Sequence, residues 1–195
     1  MDQIIAALVG GFLAAGTGWF LQNRLEASRL QRLKQLLIIG ISDDLKSSAE
    51  LYDRVIDEWE KSQIVWFTTL NELRESRQTY LKNRDWMVLI KDQGLRQKLF
   101  KYYHRSADHI NLLENQQRRK YDIQAKLNDV VRDLQLRNDS LSREQAMEQG
   151  IRLMHPEDQE LVGLNNFIPQ DIQRMRDFKV EAKELLVEFN KGDDI

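Results

Sequence analysis

The chain has 195 residues, 31% of them charged and nearly balanced in sign, for a formal net charge of −2; it shows neither a global basic excess suited to nucleic acid nor an acidic solvating tail. It contains no cysteine, which excludes disulfides, thiolate nucleophiles and Cys-based zinc or iron–sulfur centres. With only two prolines, Pro156 and Pro169, and few glycines after the opening segment, the composition permits long helices and points to an all-α fold.

The opening segment, Ile4 to Leu21, reads IIAALVGGFLAAGTGWFL and holds no charge. As a helix it would extend about 27 Å, near the hydrocarbon thickness of a bilayer, so residues 1–22 are expected to form a transmembrane anchor. Asp2 is the sole charged side chain before it, whereas Arg24, Arg29, Arg32 and Lys34 follow. That Lys/Arg bias predicts an uncleaved single-pass protein of the bacterial inner membrane, N-terminus out and C-terminal domain cytoplasmic. Trp19 and Phe20 stand where an interfacial aromatic belt belongs. Ala6, Gly10, Ala14 and Gly18 recur every four positions, with Ala7, Gly11 and Ala15 beside them. Close backbone approach over such small residues drives helix association in lipid, so this face predicts a homo-oligomer, and a ring of these helices would surround a narrow hydrophobic pore. The plainer reading is that Gly and Ala are frequent in membrane helices anyway.

Residues 23–44 continue as a juxtamembrane stalk, with Leu25, Leu30, Leu33, Leu37, Ile41 and Leu45 at helical spacings and a kink expected at Gly40 and Ser42-Asp43-Asp44. Residues 45–195 are expected to form a cytoplasmic helical bundle. Its first helix uses Tyr52, Ile56, Trp59, Leu70, Leu73 and Tyr80 and ends near Asn83; Trp86-Met87-Val88-Leu89-Ile90 lies under a corner. A second helix, opening after Gly94, uses Leu95, Leu99, Tyr102 or Tyr103, Ile110, Leu113, Ile123, Leu127 and Leu134. The two would pack as a long antiparallel αα-hairpin of about 60 Å. Asn138-Asp139-Ser140 interrupts the pattern, and Ser142 with Gln145 offers a capping box. Pro156 and Pro169 bracket a weaker segment before a final helix from about Gln170 to Asn190.

Catalytic signatures are sparse. No P-loop, dinucleotide-binding glycine pattern, HExxH or GxSxG occurs, and no cofactor or metal is expected. His104 and His109, five apart, do not share a helix face as a metal-binding pair at i and i+4 would, and the plain reading of His104 with Asp108 is a surface contact. Lys98, Lys101, Tyr102, Tyr103 and Arg105, with Arg118, Arg119 and Lys120 farther on, are candidates for binding RNA or lipid headgroups by phosphate attraction and stacking. Charge runs on a helix are more often solvated faces paired with nearby acids, and Glu114 precedes Arg118 by one turn.

An N-terminal anchor, a helical bundle and a central helix bearing Arg96, His104, Arg105 and His109 resemble the small membrane accessory proteins of type VI CRISPR loci and related bacterial defence proteins. Those in turn resemble HEPN ribonuclease bundles, whose Arg–His motif this chain does not match: seven residues separate Arg96 from His104 and three separate Arg105 from His109. The resemblance implies membrane-linked defence.

These readings combine into a non-enzymatic, self-associating membrane protein acting as a scaffold, sensor or pore-type effector, with a protein partner for its bundle as a further expectation. The alternative is an RNA-binding or HEPN-like RNA-cleaving module with Arg96, His104, Arg105 and His109 as catalytic candidates.

Overall fold

The computed structural model describes residues 2–191 and, within them, the side chains from residue 16 onward. Those residues form six α-helices and no strand: α1 (Asp2–Ser62), α2 (Phe67–Glu75), α3 (Gln78–Lys82), α4 (Gln93–Arg137), α5 (Arg143–Leu153) and α6 (His155–Lys191), with a 3-10 turn at Arg84–Leu89 between α3 and α4.

In α1 the buried residues Leu37, Ile41, Leu45, Ser48, Tyr52, Val55 and Trp59 recur every three or four positions, one stripe turned to the core. The helix stops where Gln63 takes a left-handed backbone (φ 54°), its N–H bonding the Trp59 carbonyl at 2.8 Å. Val65 then plugs into the core and α2 folds back antiparallel on α1, tied by Thr69 Oγ1 donating to Glu58 Oε1 (2.9 Å) and by the hydroxyls of Ser48 and Ser76 (2.9 Å).

The chain now stands again beside the middle of α1, where the Tyr80 N–H donates to the Asp44 carboxylate at 2.9 Å. Asp92 caps α4 by accepting from the Leu95 N–H at 3.0 Å, and α4 then runs parallel to α1, with Tyr52 and Ser106 hydroxyls 2.6 Å apart between them. α6 returns antiparallel to both. Glu188 pairs with Lys98 (2.7 Å) and Glu160 with Arg119 (2.6 Å) on α4, and Arg176 pairs with Glu60 (2.5 Å) on α1. The shared core holds Ile41, Leu45, Leu70, Leu99, Ile110, Leu113, Met175 and Phe189. Each such side chain, fully withdrawn from water, contributes about 1.5–3 kcal/mol.

Several expectations are corrected. Among the described residues no helix is long and apolar enough to cross a membrane. The transmembrane anchor, the single-pass inner-membrane location with its orientation, and the pore are withdrawn with it. The described part of α1 carries Arg24, Glu26, Arg29, Arg32 and Lys34. The uncharged run that follows them, 35–42, reaches only about 12 Å against the roughly 30 Å of hydrocarbon a span must cover, and most of the expected span, residues 4–15, lies outside the described side chains. Of the small residues expected to mediate association, Ala6, Ala7, Gly10, Gly11, Ala14 and Ala15 lie outside the described side chains; Gly18 is exposed, with nothing within 4 Å of where a Cβ would sit.

The expected antiparallel hairpin is also corrected. The segment 45–83 is interrupted at Gln63 and again at Ser76–Arg77, so the two long helices, α1 and α4, run parallel, and α6 supplies the antiparallel partner for both. α1 passes Gly40 without a break, and α6 passes Pro169 as one helix. The corner is a 3-10 turn that buries Met87 and, just after it, Ile90, while Trp86 and Val88 remain exposed. The capping box at α5 is present: Ser142 accepts from the Gln145 N–H and the Gln145 side chain accepts from the Ser142 N–H.

Candidate functional site

The sequence singled out α4, and the structure divides its candidates among three places. The first is the groove between α4 and α6, a cavity of about 370 Å³ whose lining includes Arg105, His109, Arg174, Asp177, Phe178 and Glu181. Here Arg105 and His109 do come together, one turn apart. Yet Arg105 is held in an ion pair by Glu181, its guanidinium 5.7 Å from the Phe178 ring centre. His109 is buried, and its Nε2 lies 2.8 Å from the Asp171 carbonyl, so that nitrogen carries the proton and donates it. Burial holds the imidazole below its ordinary value of 6.5, partly offset by that hydrogen bond. The Asp171 carboxylate beneath accepts from Gln116 (2.8 Å) and Arg174 (2.9 Å). The groups are committed to one another, which is the geometry of a clamp between two helices.

The second place is the exposed edge of α4. His104 lies 3.6 Å from Asp108, both well exposed, and its ring sits 6.3 Å from Phe100: a surface contact. Three of the cations expected to meet phosphate are matched here by carboxylates. Lys98 pairs with Glu188, Arg119 with Glu160, and Arg118 with Glu114, which also takes Arg74. The Arg118 and Arg74 hydrogen bonds hold the Glu114 carboxyl below the usual carboxylate range. Tyr102 and Tyr103 are inside the core at 1% and 2% exposure and present no face to a base; Tyr103 stacks on Tyr80 with ring centres 4.1 Å apart. Lys120 is half-buried, without an acidic partner among the described residues.

The third place is the corner where the 3-10 turn meets the first turns of α4. A cavity of about 480 Å³ opens there, lined by Arg84, Asp85, Met87, Arg96, Phe100 and Lys101 among others. Arg96 donates from Nη1 to the carbonyls of Ile90 and Lys91 (3.1 Å for the latter), which fixes its side chain against the loop. The Arg84 guanidinium sits 5.1 Å from the centre of the Phe100 ring. A smaller recess of about 150 Å³, lined in part by Arg77, Tyr80 and His104, adjoins it through the shared Arg84 and Phe100. Of the sequence candidates the corner takes Arg96 and Lys101. Arg84 was missed because it stands in the turn rather than on α4; the signal available was the density of Lys and Arg from Lys82 to Lys101, six against two Asp.

Among the described residues no group of three His, Cys, Asp or Glu side chains is placed to hold a metal ion. No protein-family model, no curated protein and no solved structure matches the chain.

Proposed function

We propose that this protein is a non-enzymatic helical scaffold that associates with a second copy of itself through the exposed stretch of α1 from residue 18 to residue 33. The observation behind this reading is the arm: every residue from Gly16 to Leu33 is exposed, and among the described residues of α1 burial begins at Leu37. Trp19, Phe20, Leu21, Leu25, Leu30, Leu33, Leu36 and Ile39 stand in water as large apolar surface. Such surface, when contiguous, marks an interaction site.

A second copy is the occupant that the seam itself favours. Leu30 and Leu33 extend, at spacings of three and four, the stripe through Leu37, Ile41 and Leu45 that the bundle buries against its other helices. The antiparallel register set by Lys179 with Asp53 and Arg176 with Glu60 brings Lys191, the described end of α6, beside Ile41. α3 still packs against α1 at Gly40, and N-terminal to Leu37 no described residue of the seam is buried. The arm of another copy offers the same spacing, and two such stripes interdigitate as helix pairs do elsewhere.

The chain's lack of cysteine supplies the test. A single thiol introduced by Leu33→Cys should yield a disulfide-linked dimer under mild oxidation, whereas Leu153→Cys, at the far end of the bundle, should not. Equal crosslinking at both positions, or none at Leu33, contradicts the reading. The RNA-cleaving alternative is less favoured: Arg105 and His109 share a groove, but the His109 Nε2 is already bonded to the Asp171 carbonyl and Arg105 is paired with Glu181.

A further inference from the structure

We propose that the corner cavity binds a small phosphomonoester whose organic part is flat and apolar. The argument starts from charge. Four cations of α4 meet carboxylates: Lys98 with Glu188, Arg105 with Glu181, Arg118 with Glu114, Arg119 with Glu160. At the corner three cations gather without such a partner. Arg84, Arg96 and Lys101 line one cavity, and among the described residues none of them pairs with an acid.

Asp85 is the one carboxylate in that lining, so the wall carries a formal excess of two positive charges. A phosphomonoester brings about −1.5 to −2 at neutral pH, the complement of that excess. A carboxylate would neutralise only half of it. Arg96, with Nη1 held by the Ile90 and Lys91 carbonyls, presents a guanidinium already fixed in place, its Nε and Nη2 left to donate. The positive field comes from these side chains rather than from the helix end, because Asp92 caps α4.

The remainder of the wall selects what the phosphate is attached to. Phe100 is 45% exposed, one of its faces met by Arg84, and Met87 and Val88 close the apolar side. A volume of about 480 Å³ is in the range of small-molecule sites and accepts a phosphorylated ring rather than inorganic phosphate alone. Arg84 over Phe100 would continue the stack onto a planar ligand.

The full chain is titrated calorimetrically with phenyl phosphate, inorganic phosphate and benzyl alcohol, and with a single-stranded uridine oligonucleotide. Phenyl phosphate is expected to bind one to one, inorganic phosphate about tenfold more weakly and benzyl alcohol not at all. Lys101→Ala and Arg84→Gln, both exposed and outside the core, should each weaken phenyl phosphate by about tenfold, the value of one charged hydrogen bond. Lys120→Ala, a cation elsewhere on α4, should leave it unchanged. The proposal is overturned by absence of saturable phenyl phosphate binding at millimolar concentration, by an equal loss in Lys120→Ala, or by binding of the oligonucleotide alone.

Discussion

The α-carbon of Gly40 faces Thr79 across the α1–α3 contact so closely that a Cβ at position 40 would fall far inside van der Waals distance of Thr79 Cγ2. Gly40 therefore does not weaken α1; it lets α3 approach. Thr79 cannot readily turn away, because its side chain also hydrogen-bonds the buried Asp44 carboxylate. Gly40→Ala gains about 1 kcal/mol of helix propensity, yet overpacking of this kind costs about 1–3 kcal/mol. A net loss of about 1 kcal/mol is expected in urea unfolding. Gly40→Ala combined with Thr79→Ser, which removes the obstructing methyl and keeps the hydroxyl, should recover it. An additive double variant would contradict this account.

Two buried tyrosines predict opposite outcomes. Tyr52 shares a 2.6 Å hydrogen bond with Ser106 between α1 and α4, while the Tyr103 hydroxyl is buried with no hydrogen-bond partner among the described residues. Tyr52→Phe should destabilise the bundle by about 1 kcal/mol, leaving Ser106 unpaired, and Tyr103→Phe should be neutral or stabilising by a similar amount. Thermal unfolding of the two variants side by side reads this directly.

Asp44 is buried, and desolvation raises its carboxyl above the ordinary 3.8, against the lowering effect of the Tyr80 and Thr79 hydrogen bonds. A carboxyl raised in the folded state favours folding when protonated. That contribution is complete below the unfolded value and is lost as pH rises through the folded one. Asp44→Asn, neutral throughout, should match or exceed the wild type at about pH 7 and lose this advantage at about pH 4. A wild type that weakens relative to Asp44→Asn on acidification would contradict the assignment.

His109 has the reverse sign. Burial lowers it from 6.5, so the folded chain prefers the neutral ring, and stability is lost as pH falls through the unfolded value toward the folded one. Relative to His109→Gln, whose amide can donate to the Asp171 carbonyl, the wild type should lose stability between about pH 7.5 and about pH 5.5. A flat difference would show that the ring titrates normally.

Local chemistry was legible in the sequence where it is self-contained. The Ser142–Gln145 capping box, the interruption at Asn138 and the core positions Leu99, Ile110 and Leu113 follow from spacing and hydrogen-bonding capacity alone. What long-range packing decides was not. Gln63 adopts a left-handed backbone with no glycine to announce it, and that turn makes α1 and α4 parallel. Pro169 sits inside α6, whose surrounding contacts hold the helix together. At the site, Tyr102 and Tyr103 read as an aromatic surface from their basic neighbours but face inward, because α4 turns that side to Tyr52 and Tyr80. Arg84 and Arg96 are brought together only by the fold of the corner. An uncharged opening segment reads as a lipid span, but the described helices include none that qualifies.

The mass of the intact chain in aqueous buffer, by sedimentation equilibrium without detergent, tests the central claim most directly. Four basic residues against Glu26 give the arm from 16 to 36 a formal charge of +3, so paired arms repel and association should strengthen as added salt screens them. A particle of two or more copies is expected. Leu30→Glu together with Leu33→Glu should return it to 23.1 kDa with the helical signal intact. A chain that is monomeric at every salt and protein concentration, or an assembly that this double substitution leaves unchanged, would contradict the account.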